Sequence, residues 1–275
     1  MNRHVAIGLF LNLLLLLAAG CGSATTRALA PGEPADPALA ARVLRSTVVI
    51  RITAPYLNEN GERQYLVENG QEVPLNAISS ALGTIVSAGE GTFIVTTDHF
   101  DQLAAPSAEV TFTDFSGNQI MLSLPAFRSL IRYQDNDIII LSAPPGLPEG
   151  AEPGDGDQSL PGNQVHVVHR QPATGELSVI TAVIEHWIDY RGVPSFQLRN
   201  IDGELIEPGN SGGGVWLHGR LVGSIHRTIL LDETGATDRS GSGTGFPSHL
   251  SYATRLSPAR MPLLNQGQPI AALTE

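Results

Sequence analysis

From Ser46 onward the chain is built of short apolar runs with a two-residue period. "STVVIRIT" (46–53), "GTFIVTT" (91–97), "EVTFTD" (109–114), "QIMLSL" (119–124), "QVHVVHR" (164–170), "LSVITAVIEHWI" (177–188) and "SFQLRN" (195–200) alternate, and "QYLVE", "SALGTIVSA", "DIIILSA", "GGVWL" and "LVGSIH" are short, apolar and β-branched. Turns rich in Gly, Pro, Asn or Asp separate most of them. Alternation at period two reads as half-buried strand, and many short strands with few long helices read as a sandwich or barrel. One helix is expected at the start of the domain, where Asp36 stands as N-cap, Pro37 takes the first helical position and an Ala/Leu run follows. A second short helix is expected in "SPARMPLLNQ" near the end.

Residues 143–163, "APPGLPEGAEPGDGDQSLPGN", break the series with Pro, Gly and acid and no period. Roughly equal numbers of strands flank them, so they are expected to join two β-rich halves, residues 37–150 and 151–275.

The N-terminus has a different pattern. Arg3 and His4 precede an apolar run from Val5 to Ala19, and small residues lead into Cys21. Such an n-region, h-region and small-residue end describe an export signal over residues 1–20. The run is short for a membrane span of about 20 residues. Cys21 is the only cysteine, so an intramolecular disulfide is excluded. Its position after "LAAG" resembles the lipobox of bacterial lipoproteins, in which the cysteine is lipidated. Residues 21–36 then suit a flexible tether from a lipid at a membrane surface to the domain.

Composition adds two exclusions. The formal net charge is −11, and removal of Arg3 with the signal takes it to −12. No basic block exists, so phosphate neutralisation and nucleic-acid binding are not expected. His166 and His169 fall on opposite faces of one strand, and the cysteine is committed elsewhere, so neither a metal nor a cofactor is expected. His186 and His218 read as surface residues.

Candidate chemistry centres on "IEPGNSGGGVWLHGRLVGSIH" (206–226). A serine hydroxyl needs a base, a group that orients the base, and donors for the oxyanion. Gly209 and Ser211 can aim backbone N–H groups at one point if Gly209 adopts a conformation that a Cβ hinders. Gly212 and Gly213 would let a substrate backbone lie close. Upstream, His99 ends a strand that runs out in two threonines and Asp98, and Asp137 precedes a strongly apolar strand. Asp135 is a rival acid two residues earlier. The order His99, Asp137, Ser211 is the one chymotrypsin-like enzymes use.

"ALGTIVSAGEGTFIVTTDHF", "DNDIIILSAP", "EPGNSGGGVWLHGRLVGS" and "LSYATRLSP" together resemble a chymotrypsin-fold serine peptidase, nearest to the bacterial HtrA-type and glutamyl-endopeptidase-type branches. The resemblance implies an all-β chain of two six-stranded antiparallel barrels with the active site between them. It implies a triad of His99, Asp137 and Ser211, an oxyanion hole of Gly209 and Ser211, and a polypeptide substrate. It favours Asp137 over Asp135. His226 falls where glutamyl endopeptidases carry a pocket histidine, but Leu205 and Ile206 stand where a threonine is usual. The primary pocket therefore reads equally as glutamate-binding or apolar. Asp98 and Asn210 depart from the usual pattern, Asn210 replacing the aspartate that captures a freed N-terminus in digestive members. No PDZ-like segment follows, so HtrA-type regulated assembly is not implied, and oligomeric state stays open. An α/β-hydrolase elbow is rejected because its acid and histidine would follow the serine within alternating strands and helices, whereas the 64 residues after Ser211 are strand- and loop-rich. The competing class is a catalytically degenerate peptidase fold acting as a surface binding module.

Overall fold

The computed structural model describes residues 34–89, 91–98, 107–135, 137–207, 209–231 and 246–257. The expected export signal, Cys21, His99 and the expected helix after Ser257 lie outside the described residues.

Helix α1 (Pro37–Arg45) begins at Asp36 as expected, with Pro at the first turn, although the Asp36 side chain makes no capping bond. It leads directly into β1 (Thr47–Pro55). The N-terminal half continues through β2 (Tyr65–Glu68), β3 (Gln71–Pro74), β4 (Asn76–Ala88), β5 (Gly91–Thr96), β6 (Glu109–Asp114), β7 (Gln119–Ser123), α2 (Leu124–Arg128), β8 (Ile131–Asp135) and β9 (Ile138–Ser142). β2 and β3 form a separate hairpin. The other seven strands form one antiparallel sheet in the order β7-β6-β1-β4-β5-β9-β8. This is one strand more than expected. The addition is β8, whose pattern of intermediate and exposed positions carries only Ile131 and Tyr133 as apolar content and so leaves no sequence signal. Helix α2 was not expected either: Ser123 caps it by accepting from the Ala126 N–H at 3.4 Å, and Pro125 suits its first turn.

The C-terminal half comprises β10 (Gln164–Arg170), β11 (Leu177–Tyr190), β12 (Val193–Asn200), β13 (Gly214–Leu217), β14 (Arg220–Leu231) and β15 (Phe246–Arg255). They close into a six-stranded antiparallel barrel in the order β10-β11-β12-β15-β14-β13. The all-β, chymotrypsin-like expectation holds.

Two faces of the same strands feed two cores. In β9, Ile139 and Leu141 enter the core of the N-terminal sheet beside Phe112 and Phe127. Ile138 and Ile140 enter a second core with Val168, Trp216 and Leu221 of the barrel and Val43 of α1. β4 and β5 divide likewise: Ala81, Ile85 and Ile94 go to the first, and Leu82, Val86 and Val95 to the second. Burial on both faces is why "IIIL" is continuously apolar rather than alternating. At about 25 cal/mol per Å² of apolar surface, the second core gives the seam between the halves a hydrophobic bond of its own.

The segment joining the halves is tied to both. The Ala151 N–H donates to Ile85 O and the Ser87 N–H donates to Ala151 O, each at 2.9 Å. The Gly154 N–H donates to Leu221 O at 2.7 Å, and the Gly156 N–H to Leu256 O at 2.6 Å. A Cβ at Gly150 would stand 2.6 Å from the Val86 backbone, and one at Gly156 2.6 Å from Val222 O. Gly150 and Gly156 of this apparently formless stretch are therefore needed for close backbone approach.

Candidate active site

Ser211 lies in the turn that precedes β13, at the seam. Its carbonyl accepts from the Leu82 N–H of β4 at 2.8 Å. The Leu82 carbonyl in turn accepts from the Thr96 hydroxyl at 2.6 Å. Thr96 ends β5, three residues before His99. One residue of β4 thus connects the serine turn to the strand leading to the candidate base.

The glycines around Ser211 serve the protein's own packing. Gly212 has φ +85°, and a Cβ there would fall 1.8 Å from Leu82 O. A Cβ at Gly213 would lie 2.9 Å from Val168 O, and at Gly214 2.6 Å from Trp216 Nε1. Room for a substrate backbone was the expected reason for Gly212 and Gly213. The observed reason is that the turn presses against β4 and β10. Gly209 has φ +96°, in the left-handed region that favours glycine, with open space around its Cβ position.

Asn210 is almost fully buried and acts as a latch. Its Oδ1 accepts from the Arg170 N–H at the end of β10. Its Nδ2 donates to Arg170 O at 3.2 Å and to Glu207 O at 3.0 Å. A neutral amide suits this position because both an acceptor and a donor are required. Further amides of the turn have backbone partners: Asn210 N–H to Glu207 O at 3.1 Å, Gly212 N–H to Ile225 O at 2.6 Å and Gly213 N–H to Asn210 O at 3.0 Å.

The two candidate acids separate. Asp135 ends β8 and accepts from the Tyr133 hydroxyl at 3.1 Å. Asp137 is buried at the head of β9, and its Oδ2 lies against Nδ1 of His226. His226 is itself buried in β14, with the Tyr190 ring edge-on at 4.9 Å. The backbone carbonyl of His226 accepts from the Ser211 hydroxyl at 3.4 Å. The histidine expected in the pocket wall therefore has its ring on the acid and its carbonyl at the serine. Of the other expected pocket residues, Ile206 packs into the barrel core, with its carbonyl accepting from the Thr228 hydroxyl at 2.5 Å. Leu205 is partly exposed.

The remaining histidines lie elsewhere. His166, opposite Trp216 and Thr181, is held below the usual imidazole range by burial. His169 Nδ1 lies 3.4 Å from Ser178 Oγ. His186 is exposed, and His218 sits at positive φ in the β13–β14 turn. Among the described residues no three His, Cys, Asp or Glu side chains gather closely enough to hold a metal ion.

Comparison with solved structures matches this architecture. The HtrA-type protease AlgW with a decapeptide aligns with TM-score 0.52 and 14% identity, over 84% of this chain and 75% of its own. The fold is that of the HtrA-type proteases. Rv3671c from M. tuberculosis H37Rv, a serine-to-alanine mutant in its inactive form, aligns with TM-score 0.50 and 17% identity, over 88% of this chain and 99% of its own. AlgW with a tripeptide aligns with TM-score 0.49 and 15% identity over 78% of this chain, which spans 57% of that relative. No family model and no curated protein matches the sequence.

The sequence concealed three features of the site. Leu82 offers only backbone to it, Asn210 looks like any loop amide, and the ring of His226 reaches Asp137 only once β14 is in place. A histidine closing the apolar run "LVGSIH" is the one available signal, and its direction cannot be read from it.

Proposed function

We propose that this chain is an exported, lipid-anchored serine endopeptidase with the triad His99, Asp137 and Ser211. The supporting observation is that one residue of β14 touches both Asp137 and Ser211, so a buried carboxylate and a serine lie together at the seam of a protease fold. The hydroxyl of Ser211 attacks the peptide carbonyl while His99 takes its proton. The new Oγ–C bond forms, the C–N bond breaks, and the proton passes to the leaving amine. Water then hydrolyses the acyl-enzyme by the same route in reverse. Asp137 holds the imidazole tautomer and stabilises its cation. The N–H groups of Gly209 and Ser211 take the oxyanion, a contribution of about 3 kcal/mol per donor in comparable sites. Cys21 carries the lipid, and the tether reaches from the membrane surface to the domain.

The test uses the full-length chain in detergent with an unfolded, dye-quenched protein as substrate. Hydrolysis by the parent that falls at least a thousandfold in Ser211→Ala and His99→Ala is expected. A folded parent with no hydrolysis on any of a broad panel of unfolded proteins would favour the binding-module reading instead.

A further inference from the structure

The acid of the candidate triad is contacted from the barrel half of the fold. His99 follows β5 in the sequence, whereas His226 comes from β14 of the other half, and its Nδ1 lies against Asp137 Oδ2. Both partners are nearly excluded from water, with side-chain exposures of 9% and 11%. Low dielectric strengthens such a contact and makes its charge state consequential. The same residue's carbonyl receives the Ser211 hydroxyl at 3.4 Å.

The surroundings of the His226 ring are defined. From β11 the Tyr190 ring stands edge-on to it, and Tyr252 of β15 packs on Tyr190 at 4.7 Å. Arg227, next along β14, turns to the Tyr190 hydroxyl at 3.0 Å, and the Arg191 guanidinium lies 5.4 Å from the Tyr190 ring centroid. Both guanidiniums are thus engaged on Tyr190. Asp137 is the carboxylate in contact with the ring.

We infer that His226 is a positioning residue of this site: its imidazole holds Asp137, and its protonation withdraws the carboxylate's charge from His99. This rests on the reading of Ser211 as nucleophile and His99 as base. Neutral His226 donates one N–H to Asp137 and leaves it a full anion, able to support a cationic His99. Protonated His226 neutralises that anion across the contact, so His99 is a weaker base and Ser211 a slower nucleophile. No atom is lost or gained beyond one proton on the His226 ring. A pocket-lining histidine would instead act on substrate affinity.

The experiment measures the second-order rate of fluorophosphonate labelling of Ser211 in the full-length chain from about pH 5 to 8. One protonation lets the rate fall at most tenfold per pH unit. The parent is expected to fall more steeply than that over part of the range. His226→Gln keeps an amide donor but cannot become a cation; its labelling is expected to slow about threefold to tenfold near pH 8, with the acid limb returning to tenfold per unit. His226→Leu loses both properties and should slow by about a hundredfold near pH 8, with an acid limb no steeper than tenfold per unit. A parent limb no steeper than tenfold per unit would overturn the inference whether or not the variants fold. So would a His226→Gln limb as steep as the parent's. Absence of labelling in the folded parent at every pH would overturn this inference and the nucleophile reading together; labelling with an unsteepened limb would remove this inference alone.

Discussion

The backbone N–H of Leu82 donates to the carbonyl oxygen of Ser211 at 2.8 Å, so the serine turn of the barrel is bonded to the central strand of the other half's sheet. Gly212 makes this approach feasible, since its Cβ would lie 1.8 Å from Leu82 O at a φ of +85°. Gly212→Ala is therefore expected to cost at least about 2 kcal/mol, combining left-handed strain with a backbone clash. Gly162→Ala is the control, because φ is +92° there but nothing lies within 4 Å. Strain alone should cost it about 1 kcal/mol. Urea midpoints of the two variants check the difference, and equal midpoints would mean the turn does not press on β4.

Asn210 gives a charge-specific prediction. Its Nδ2 faces two carbonyls, so Asn210→Asp removes the donor and sets a buried carboxylate against Arg170 O and Glu207 O. A loss of about 3 kcal/mol is expected near neutral pH. Burial and the facing carbonyls raise the new carboxyl's pKa in the folded state. The penalty is thus full when the acid is ionised and shrinks as pH falls, because the protonated acid recovers a donor. Thermal melts of variant and parent from about pH 7 down to 4 read this directly. A deficit that stays constant or widens on acidification would contradict the latch.

His166 supplies a pH dependence of the opposite origin. Burial lowers its pKa below the ordinary 6.5. The unfolded chain then takes up a proton at higher pH than the folded one, so His166 costs stability as pH falls below about 6.5, and the cost levels off below the folded value. His166→Gln should flatten the stability profile between about pH 6.5 and 5, with little change near pH 8. A parent and variant with parallel profiles would remove His166 from the acid response.

Membrane attachment depends on Cys21 in this account. Cys21→Ala should abolish incorporation of a labelled fatty acid and release the chain from the membrane fraction under high salt. Continued acylation of Cys21→Ala would refute the anchor.

Much of this architecture is legible where side-chain pattern decides structure. Alternation in "STVVIRIT" places Val48, Ile50 and Ile52 in one core, and the unbroken "IIIL" marks a strand buried on both faces. Asp137, at the head of that strand, inherits its burial. β8 escaped because an edge strand needs little apolar content, and α2 because five residues show no helical period. The contacts among Leu82, Ser211, Asn210 and Arg170 escaped because they are made by backbone or by one amide, and no periodicity reports those. The pocket role of His226 is what the resemblance to the glutamyl endopeptidases implies. Its ring direction depends on the register of β14, which contains β-bulges, and a shift of one residue in a strand turns the side chain to the other face.

The central claim is that Ser211 is an activated nucleophile. The most direct measurement is mass spectrometry of the full-length chain after fluorophosphonate treatment, with the adduct mapped to a residue. The account predicts one stoichiometric adduct on Ser211, absent from Ser211→Ala and at least a thousandfold slower in His99→Ala and Asp137→Asn. A folded chain that stays unmodified, or one modified equally fast without His99 and Asp137, would contradict it.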